Sequence, residues 1–597
     1  MIGGIPLIFL GLVYIMPQSR AETWALKTAF LVLALCVLAM QAVLSSAKRP
    51  AGVGSRAAGG GVAFLAFAAW ASISIFWSGN APRHAFESIL LALSAVLLAA
   101  PRINISARHL SFTIIGIAGV EAIRVMLSQH GTALALTERM AGSFVNANHY
   151  AVILLAAYGI ALAYALRRNG MAGFLLHLFA AILLASAVLS KSRSVLLGAM
   201  ATLLTIAISG GGRMRKILAA SVVAAAILLS PGMILGRLSD QVAGTEPFAF
   251  ARTQIWASAA RMIRGHPLGG VGLGAFGDYF KQFRPEKLYL MSTDYAHNEF
   301  VQVAAELGLI GVGLAIWALL ALFARFRARL NPDFDQYPLA ICLVPIAISA
   351  FFDFTLHVPV IAVAAILCLL PNFAQGTGSA VRGRNIPGFV LLVSFGLVLL
   401  TASVWAGLYA ASQVAYARGA RMFSAGNAAA AVPLFELSAK LGPNPEALVA
   451  IAACEMDPGR RETNLFRAIR LRHAWLPPRI DLFELCLARG DRIQCAEMIE
   501  EARKLDPFGL QPRLLDIRMA IETGRLKDAR RDLNHAQTRW PNNVDLWFEE
   551  ARIAEARGDR AAARRILETI LSRHPGAVYA RRWLNAIGSS KKAEGGN

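Results

Sequence analysis

Residues 298–323, NEFVQVAAELGLIGVGLAIWALLALF, decide the fold of this chain. Their only charged side chains are Glu299 and Glu306, and both lie in the first third of the stretch. A helix rises ~1.5 Å per residue, so ~20 apolar residues cross a hydrocarbon core ~30 Å thick. The stretch therefore predicts a membrane-spanning helix with two carboxylates near one end.

Similar apolar stretches recur along most of the chain. The 597 residues are 56% hydrophobic and only 16% charged, with a mean hydropathy of +0.52, which is too apolar for a soluble surface. The first stretch has no basic segment before it and no small-residue cleavage site, so we expect an uncleaved span. Thirteen candidate spans lie near residues 3–17, 25–45, 62–78, 86–100, 111–127, 150–166, 172–190, 194–209, 217–236, 298–323, 337–352, 358–372 and 387–410. We predict an all-α polytopic membrane protein of about 12–13 spans, in domain 1–410, followed by a polar domain, 411–597.

The charge distribution gives an orientation. The net charge of +22 could indicate a nucleic-acid binder, but the tail carries 30 basic and 23 acidic residues, a surplus of only 30 − 23 = +7. Fifteen basic residues fall in alternate loops of the membrane domain, from Lys48 to Arg384, offset only by Asp333 and Asp335. The positive-inside rule places those loops in the cytoplasm. The long segment 237–297 and the tail then face outward, and no nucleic-acid partner is expected.

The tail has a period of 34 residues. Gly490, Gly524 and Gly558 are 34 apart, and so are the prolines at 507, 541 and 575. Each glycine is predicted to end one helix and each proline the next, as in LARGDRIQCAEMIEEARKLDP. This helix-turn-helix period resembles the tetratricopeptide repeat, which predicts a solenoid with a concave surface for a protein or glycan partner; a plain scaffold is the alternative.

The six cysteines show no metal-site spacing. They are Cys36, Cys342, Cys368, Cys454, Cys486 and Cys495. Because no CxxC pair occurs, we interpret them as small buried apolar residues, with neither a disulfide nor a metal site indicated.

Polar side chains gather at the predicted outer ends of the spans, where a charge is costly and indicates function. Asn146, Asn148 and His149, in GSFVNANHYAVILL, either cap a helix or form a substrate-facing rim. Lys191 and Arg193, in LSKSRSVLL, are cations on the side that the positive-inside rule disfavours. They either contact phospholipid or bind an anion, since a guanidinium matches phosphate oxygens bidentately.

Two further polar clusters follow the Lys191–Arg193 cluster along the chain. Arg252 and Trp256 are four apart and share a helix face, whereas the tract 272–277 spells GxGxxG without a preceding strand, which favours a glycine-rich surface turn over a dinucleotide site. His297 and Asn298 begin a span, and Gln302 and Glu306 follow four apart. A histidine there is either a general base or a helix cap.

Smaller signals complete the set. Asp353 and His357 are four apart in an outer turn, FFDFTLHVP. Glu121 and Arg124 lie within a span, where we expect them to neutralise each other.

These segments, from about residue 140 to 370, resemble the O-antigen ligase and polymerase superfamily of envelope glycan transferases. The most specific are RTQIWASAARMIRGHPLGGVGLGAF and AHNEFVQVAAELGLIGVGL. The resemblance implies a metal-independent, inverting glycosyl transfer at the outer face of the bacterial inner membrane, with no cofactor. It implies a glycan on undecaprenyl diphosphate as donor and a glycan, lipid A-core or protein hydroxyl as acceptor.

The resemblance also assigns residues. His297 would activate the acceptor hydroxyl, and Arg193 and Arg252 would bind the diphosphate. The remaining pocket candidates are Asn146, Asn148, His149, Lys191, Asn298 and Asp353.

Three classes of function remain open on the sequence: a glycan transferase, a flippase and a scaffold. A ligase, serving lipopolysaccharide or exopolysaccharide synthesis, leads; a repeat-unit polymerase and a protein O-oligosaccharyltransferase share its motifs. A lipid-linked glycan flippase with a docking tail is a different class, which would place polar residues through the midplane of the bilayer. A membrane-anchored scaffold gives no reason for Arg193 or His297 at the outer edge.

Overall fold

A computed structural model describes residues 58–99, 106–128, 146–209, 251–370 and 388–594, together with residues 36, 142 and 144. Within these ranges the chain forms 22 α-helices and no β-strand. The predicted all-α fold is therefore confirmed. The candidate spans at 3–17, 25–45 and 217–236 lie outside the described residues.

The first eleven helices carry the apolar part of the described chain. They are α1 Ala58–Ile73, α2 Ala81–Ala99, α3 Ala107–Ser128, α4 Ala147–Ala165, α5 Gly170–Leu189, α6 Arg193–Ser209, α7 Ala251–Gly265, α8 Phe276–Phe283, α9 Glu299–Ala328, α10 Tyr337–Ala350 and α11 Pro359–Leu369. Short 3₁₀ turns lie at Ser74–Phe76, Glu286–Leu288 and Thr355–His357.

Among the helices of the described ranges, four are long and apolar enough to cross a membrane. The crossing segments are Ala81–Leu98, Ala147–Ala165, Gly170–Leu189 and Glu299–Ala324, and α6, α10 and α11 are shorter apolar helices. Several such helices, with the sequence pattern, make the chain a multi-pass membrane protein. Within the spans, Arg124 donates to Glu121 at 3.0 Å and 3.1 Å, which confirms the predicted neutralising pair.

Helix α4 lies at the centre of this bundle. Nearly all of its side chains are buried, and it packs against α3, α5, α6 and α10. Many of those side chains are alanine, and Gly159 lies where an added Cβ would meet the Ile341 side chain at 3.0 Å. Small residues let helix backbones approach closely in a membrane, where no hydrophobic effect drives them together. Asn146 caps the N-terminal end of α4 by accepting from the Asn148 N–H at 2.9 Å.

The glycine-rich tract forms a turn, but the prediction that the turn is on the surface is wrong. Helix α9 breaks at Gly308, whose φ is 64° and ψ −168°. The break leaves the carbonyls of Ala305 and Glu306 without helical partners, and they accept from the N–H groups of Val271 (3.0 Å) and Gly272 (2.8 Å). The turn is therefore held against α9 and buried. A Cβ at Gly270 would lie 2.2 Å from the Glu306 backbone, so only glycine fits there.

The described residues divide into two compact units. One comprises the described residues up to Phe280 together with Thr293–Ala447; the other comprises Lys281–Ser292 and the chain from Leu448 onward. The boundary predicted at residue 410 separates membrane from water and stays a prediction, because the units are defined by contacts within the protein. A short piece of the predicted outer loop thus belongs to the same unit as the repeats.

The remaining described helices run from the last candidate span, near 387–410, through the polar part of the chain. They are α12 Gly388–Ser424, α13 Ala428–Leu441, α14 Pro445–Cys454, α15 Pro458–Leu471, α16 Pro477–Arg489, α17 Arg492–Leu505, α18 Leu510–Glu522, α19 Leu526–Arg539, α20 Val544–Ala556, α21 Arg560–Arg573 and α22 Val578–Glu594. Gly490, Gly524 and Gly558 follow α16, α18 and α20 with φ of 73–82°, and the prolines at 507, 541 and 575 follow α17, α19 and α21. The predicted helix ends are therefore confirmed.

One cysteine prediction is wrong. Cys486 on α16 and Cys495 on α17 form a disulfide, with Cα atoms 5.7 Å apart. The residues are nine apart along the chain, and the turn at Gly490 returns α17 alongside α16, so that the two side chains meet. Cys36, Cys342 and Cys368 are buried, as predicted, and Cys454 is partly buried.

Candidate active site

His297 and Asp353 come together where α9 begins and α10 ends. The His297 Nδ1 lies 3.0 Å from one Asp353 carboxylate oxygen, although the residues are 56 apart in sequence. Asp353 is 1% exposed, whereas the His297 side chain keeps 26% of its surface. The imidazole is therefore held on its inner side and open on its outer side.

The surroundings of Asp353 keep its carboxylate ionised. Burial by itself raises the pKa of Asp353, but hydrogen bonds and charge from His297, His149 and Asn148 outweigh it and hold the pKa well below the usual value. The amide of Asn148 donates to Asp353 at 2.6 Å and that of Asn146 at 3.4 Å, while the His149 Nε2 lies 4.0 Å away. An ionised carboxylate only accepts hydrogen bonds, so the Nδ1–H group of His297 donates to it. The other ring nitrogen, Nε2, has no hydrogen-bond partner within the described ranges.

Asn146 combines both interpretations left open by the sequence. Its side-chain oxygen caps α4, and its amide contacts Asp353. The polar rim therefore forms because the start of α4 lies against the turn after α10, where the Asp353 carboxylate also accepts from the Phe354 N–H at 3.0 Å.

Phe354 fills the space behind the imidazole. Its ring lies 5.1 Å from the His297 ring and 4.7 Å from the His149 ring, both edge-on. It also stacks on Tyr295 at 4.1 Å, and the Arg83 guanidinium lies 4.7 Å from the Tyr295 ring centroid. These contacts fix the plane of the His297 ring and exclude water from its inner face.

Arg252 lies on α7, the helix that contacts the residue before His297. It lies near the start of that helix, is partly exposed, and forms no ion pair within the described part of the chain. Trp256, one turn further on, donates its indole N–H to the Ala296 carbonyl at 2.9 Å. That bond attaches the helix of Arg252 to the residue before His297, and the role of Arg252 in binding the diphosphate stays a prediction.

The cations at 191 and 193 lie where α5 turns into α6. Lys191 is partly buried and adopts a left-handed backbone, with φ of 53°. Arg193 is the first residue of α6, and its side chain lies outside the described residues. Its role in binding the diphosphate stays a prediction.

Asn298 caps α9. Its side-chain oxygen accepts from the N–H groups of Phe300 (2.9 Å) and Val301 (3.0 Å), and its amide donates to the Phe351 carbonyl at 2.9 Å. Asn298 therefore ties α9 to the end of α10, the two elements that carry His297 and Asp353. Its place in the pocket stays a prediction.

Asp353 and His357, four apart in sequence, have different partners. His357 forms an ion pair with Glu299 at 2.8 Å. Burial alone would lower the pKa of His357, but the charge of Glu299 and its hydrogen bond raise it to about 9. The His357 ring is thus protonated at neutral pH.

One group within the described residues has the spacing of a metal site. Ligand atoms of Glu87, Glu306 and His357 lie within 4.8 Å of one another. Arg83 already pairs with Glu87 at 3.0 Å, and a protonated His357 cannot donate a lone pair. Arg83 and the protonated His357 already balance the negative charge of the two glutamates, so these three side chains do not favour a bound metal ion. The expectation of a metal-independent reaction stays a prediction.

Sequence reasoning placed Asp353 among the pocket candidates but not beside His297. The available signal was a carboxylate in an otherwise apolar outer turn. It could not name the partner, because both His297 and His357 lay within reach of that turn.

Two family models match the chain. Residues 178–318 match the model described as O-antigen ligase, and residues 520–583 match the tetratricopeptide repeat. The first match contains Lys191, Arg193, Arg252, His297 and Asn298. The predicted resemblance to that superfamily, with a tetratricopeptide tail, is confirmed, and it indicates a membrane glycosyltransferase of the ligase or polymerase type. No curated protein matches the chain.

Proposed function

We propose that this protein transfers a glycan from undecaprenyl diphosphate to an acceptor hydroxyl, with inversion at the anomeric carbon and without a metal ion. The reaction takes place at the periplasmic face of the inner membrane. The observation that carries the proposal is the 3.0 Å contact between His297 and the buried Asp353. His297 lies within the residues that match the O-antigen ligase model.

The pair acts as a base and its orienting group. Asp353 holds the proton on Nδ1, so Nε2 takes the proton of the acceptor hydroxyl as its oxygen attacks the anomeric carbon. The bond from that carbon to the diphosphate oxygen breaks, and its electron pair leaves with undecaprenyl diphosphate. A single displacement inverts the anomeric configuration. A positioned general base contributes on the order of 10²–10⁴-fold to such a rate.

Arg252 and Arg193 stabilise the leaving group. The diphosphate gains negative charge as the bond breaks, and fixed cations in a water-poor site stabilise that charge more than they stabilise the bound donor. Arg252 supports this role because its guanidinium has no competing carboxylate within the described ranges. The bond from Trp256 to Ala296 keeps its helix next to the base.

Two features of the tail support a periplasmic location. The Cys486–Cys495 disulfide favours an oxidising compartment, as the bacterial periplasm is. In addition, residues 281–292 of the predicted outer loop pack within the repeat unit, where Arg284 bonds Asp506 at 2.5 Å. A tail that packs on part of the outer loop lies on the same side of the membrane as that loop.

The repeat unit already holds a piece of its own chain. Tyr289 donates to the Arg539 carbonyl at 3.0 Å, lies under the Arg539 guanidinium at 4.2 Å, and packs edge-on against Trp540 at 5.2 Å. The repeats thus hold residues 281–292 of the predicted outer loop. A protein or glycan partner would dock elsewhere on the surface of the repeats.

Purified protein would be incubated with synthetic undecaprenyl-diphosphate glycan and with glycan, lipid A-core and protein acceptors. We expect His297→Ala to slow transfer by about 10²–10⁴-fold and Arg252→Ala to slow it as well, whereas Arg264→Ala, an exposed arginine further along α7, serves as the matched control. Transfer at the native rate by His297→Ala would refute the proposed base.

Further measurements in the same assay identify the reaction. The anomeric configuration of the product tests inversion, and a chelator tests metal independence. A single transfer indicates a ligase, a ladder of repeat units a polymerase, and a modified polypeptide a protein glycosyltransferase. Lipid translocation in vesicles without any transfer would replace the proposal by a flippase.

A further inference from the structure

His297 has a backbone conformation that needs support. Its φ is 52°, in the left-handed region, which a non-glycine residue occupies only when its surroundings impose it. The conformation turns the imidazole toward Asp353 at the point where the chain enters α9. What imposes it lies on the peptide just before it.

The Ala296 peptide is bound on both sides. Its carbonyl accepts from the Trp256 indole at 2.9 Å, and its N–H donates to the Gln302 side-chain oxygen at 2.6 Å. Ala296 is fully buried and Gln302 is 1% exposed, so water does not compete for either bond. The peptide plane of residue 296 is therefore fixed, and with it the starting direction of His297.

Gln302 is itself held in one orientation. Its amide nitrogen donates to a Glu306 carboxylate oxygen at 2.9 Å, and the same oxygen accepts the Phe276 N–H at 3.1 Å. Because the Gln302 oxygen must accept from Ala296, its amide is left to donate to Glu306. Glu306 is anchored in turn by its backbone carbonyl, which accepts from Gly272 at 2.8 Å.

We propose that Trp256, Gln302 and Glu306 are positioning residues that hold His297 in its reactive conformation through the Ala296 peptide. The chain of bonds runs from the glycine-rich turn to the catalytic base. It connects three sequence segments: the Arg–Trp segment through Trp256, the histidine segment through Gln302 and Glu306, and the glycine-rich turn through the N–H groups of Gly272 and Phe276. This inference rests on the proposed function, because it assigns a role relative to the base named there.

Trp256→Phe is the sharpest variant. It removes the indole N–H and keeps an aromatic ring in the same place. A small misplacement of a catalytic group costs on the order of 10²-fold in rate. We therefore expect kcat to fall about 10–100-fold, with the KM for the donor within about twofold of native. Trp317→Phe, on the half-exposed face of α9, is the matched control and should leave kcat unchanged.

Gln302 and Glu306 offer a conservative comparison. Glu306→Gln keeps an oxygen that accepts from both Phe276 and Gln302, so we expect most of the activity to remain. Gln302→Met removes both of the bonds that Gln302 makes, and we expect a loss of kcat at least as large as that of Trp256→Phe. Equal activity of Glu306→Gln and Gln302→Met would contradict the proposed chain of bonds.

A double-mutant cycle distinguishes positioning from general destabilisation. If Trp256 acts through His297, then Trp256→Phe costs nothing further once His297 is alanine, and the double variant equals His297→Ala. Losses that multiply would overturn the inference. Thermal unfolding of each purified variant, bound to donor, checks that the fold is retained.

The proposed function can fail separately from this inference. Native protein that shows no transfer to any acceptor refutes the function itself. Native protein that transfers, alongside a Trp256→Phe variant of native kcat, refutes only the positioning role.

Discussion

Replacing Asp353 by asparagine tests the central pair. Every neighbour of its carboxylate is a hydrogen-bond donor: the His297 ring and the Phe354 N–H on one oxygen, and the amides of Asn148 and Asn146 on the other. Asparagine keeps one oxygen and presents an NH₂ in place of the second. One side of the site is then left with two donors facing each other.

The rearrangement has a defined chemical consequence. If the asparagine NH₂ faces His297, Nδ1 becomes the acceptor and the ring proton moves to Nε2, which can no longer take the proton of the acceptor hydroxyl. If it faces Asn148, the oxygen still accepts from Nδ1, but the negative charge that stabilises the protonated imidazole is lost. Both arrangements lower the rate.

The size of the loss follows from these bonds. A hydrogen bond to a charged group contributes about 1.5–3 kcal/mol, and each 1.36 kcal/mol of barrier is a factor of ten in rate. We therefore expect Asp353→Asn to lower kcat by at least about tenfold and by about 10²–10⁴-fold if the ring tautomer changes. The effect of His297→Ala sets the ceiling, because Asp353 acts through that ring.

The assay is single-turnover transfer at saturating donor. Asp353→Asn is compared with His297→Ala, with the double variant and with Asp333→Asn, an exposed carboxylate outside the site. The double variant should be no slower than His297→Ala alone. If Asp353→Asn keeps at least half of the native kcat, or if its loss multiplies with that of His297→Ala, the pair does not work as described.

Three other measurements follow from the structure. His357 has a pKa raised to about 9, so its ion pair with Glu299 contributes up to about 3 kcal/mol to the stability of the fold. This contribution is fully present below about pH 6.5 and is lost as pH rises through 9. His357→Gln should flatten that decline in thermal stability, and an unchanged pH profile would contradict the prediction. Gly524→Ala should cost the repeat unit about 1 kcal/mol and Gly524→Asn less, because the φ of 74° alone opposes a side chain there and an added Cβ meets no atom; equal costs in chemical denaturation would argue against this. Under denaturing, non-reducing conditions, Cys486 and Cys495 of protein from cells should resist maleimide until reductant is added, and labelling without reductant would argue against an oxidising compartment.

Local pattern was sufficient for the helices and for most site candidates. Apolar runs of about 20 residues have one way to satisfy their backbone groups in a membrane, so the span in residues 298–323 could be predicted from hydropathy alone. The glycines and prolines of the tail predicted its helix ends because a left-handed position and a missing N–H are properties of single residues. His297 stood out because titratable groups at span ends are costly. Arg252 stood out because it shares a helix face with Trp256 in a segment that resembles the ligase superfamily.

The partners of those residues depended on the tertiary structure. Asp353 is only four residues from His357 in sequence, yet it bonds His297, which is 56 residues away. The reason is that Asn298 ties the start of α9 to the end of α10. The glycine turn is buried because a break in α9 frees two carbonyls that only the folded chain brings to it.

The sequence by itself determined the class of the protein and its helical repeats, and it supplied the candidate residues for the chemistry. These follow from composition and from periods of a few residues, which act locally. The tertiary structure decided which carboxylate bonds His297, that Trp256 and Gln302 bond the peptide before it, and that Cys486 meets Cys495. Such pairings depend on how whole helices pack against one another, and a local sequence pattern carries no information about that packing.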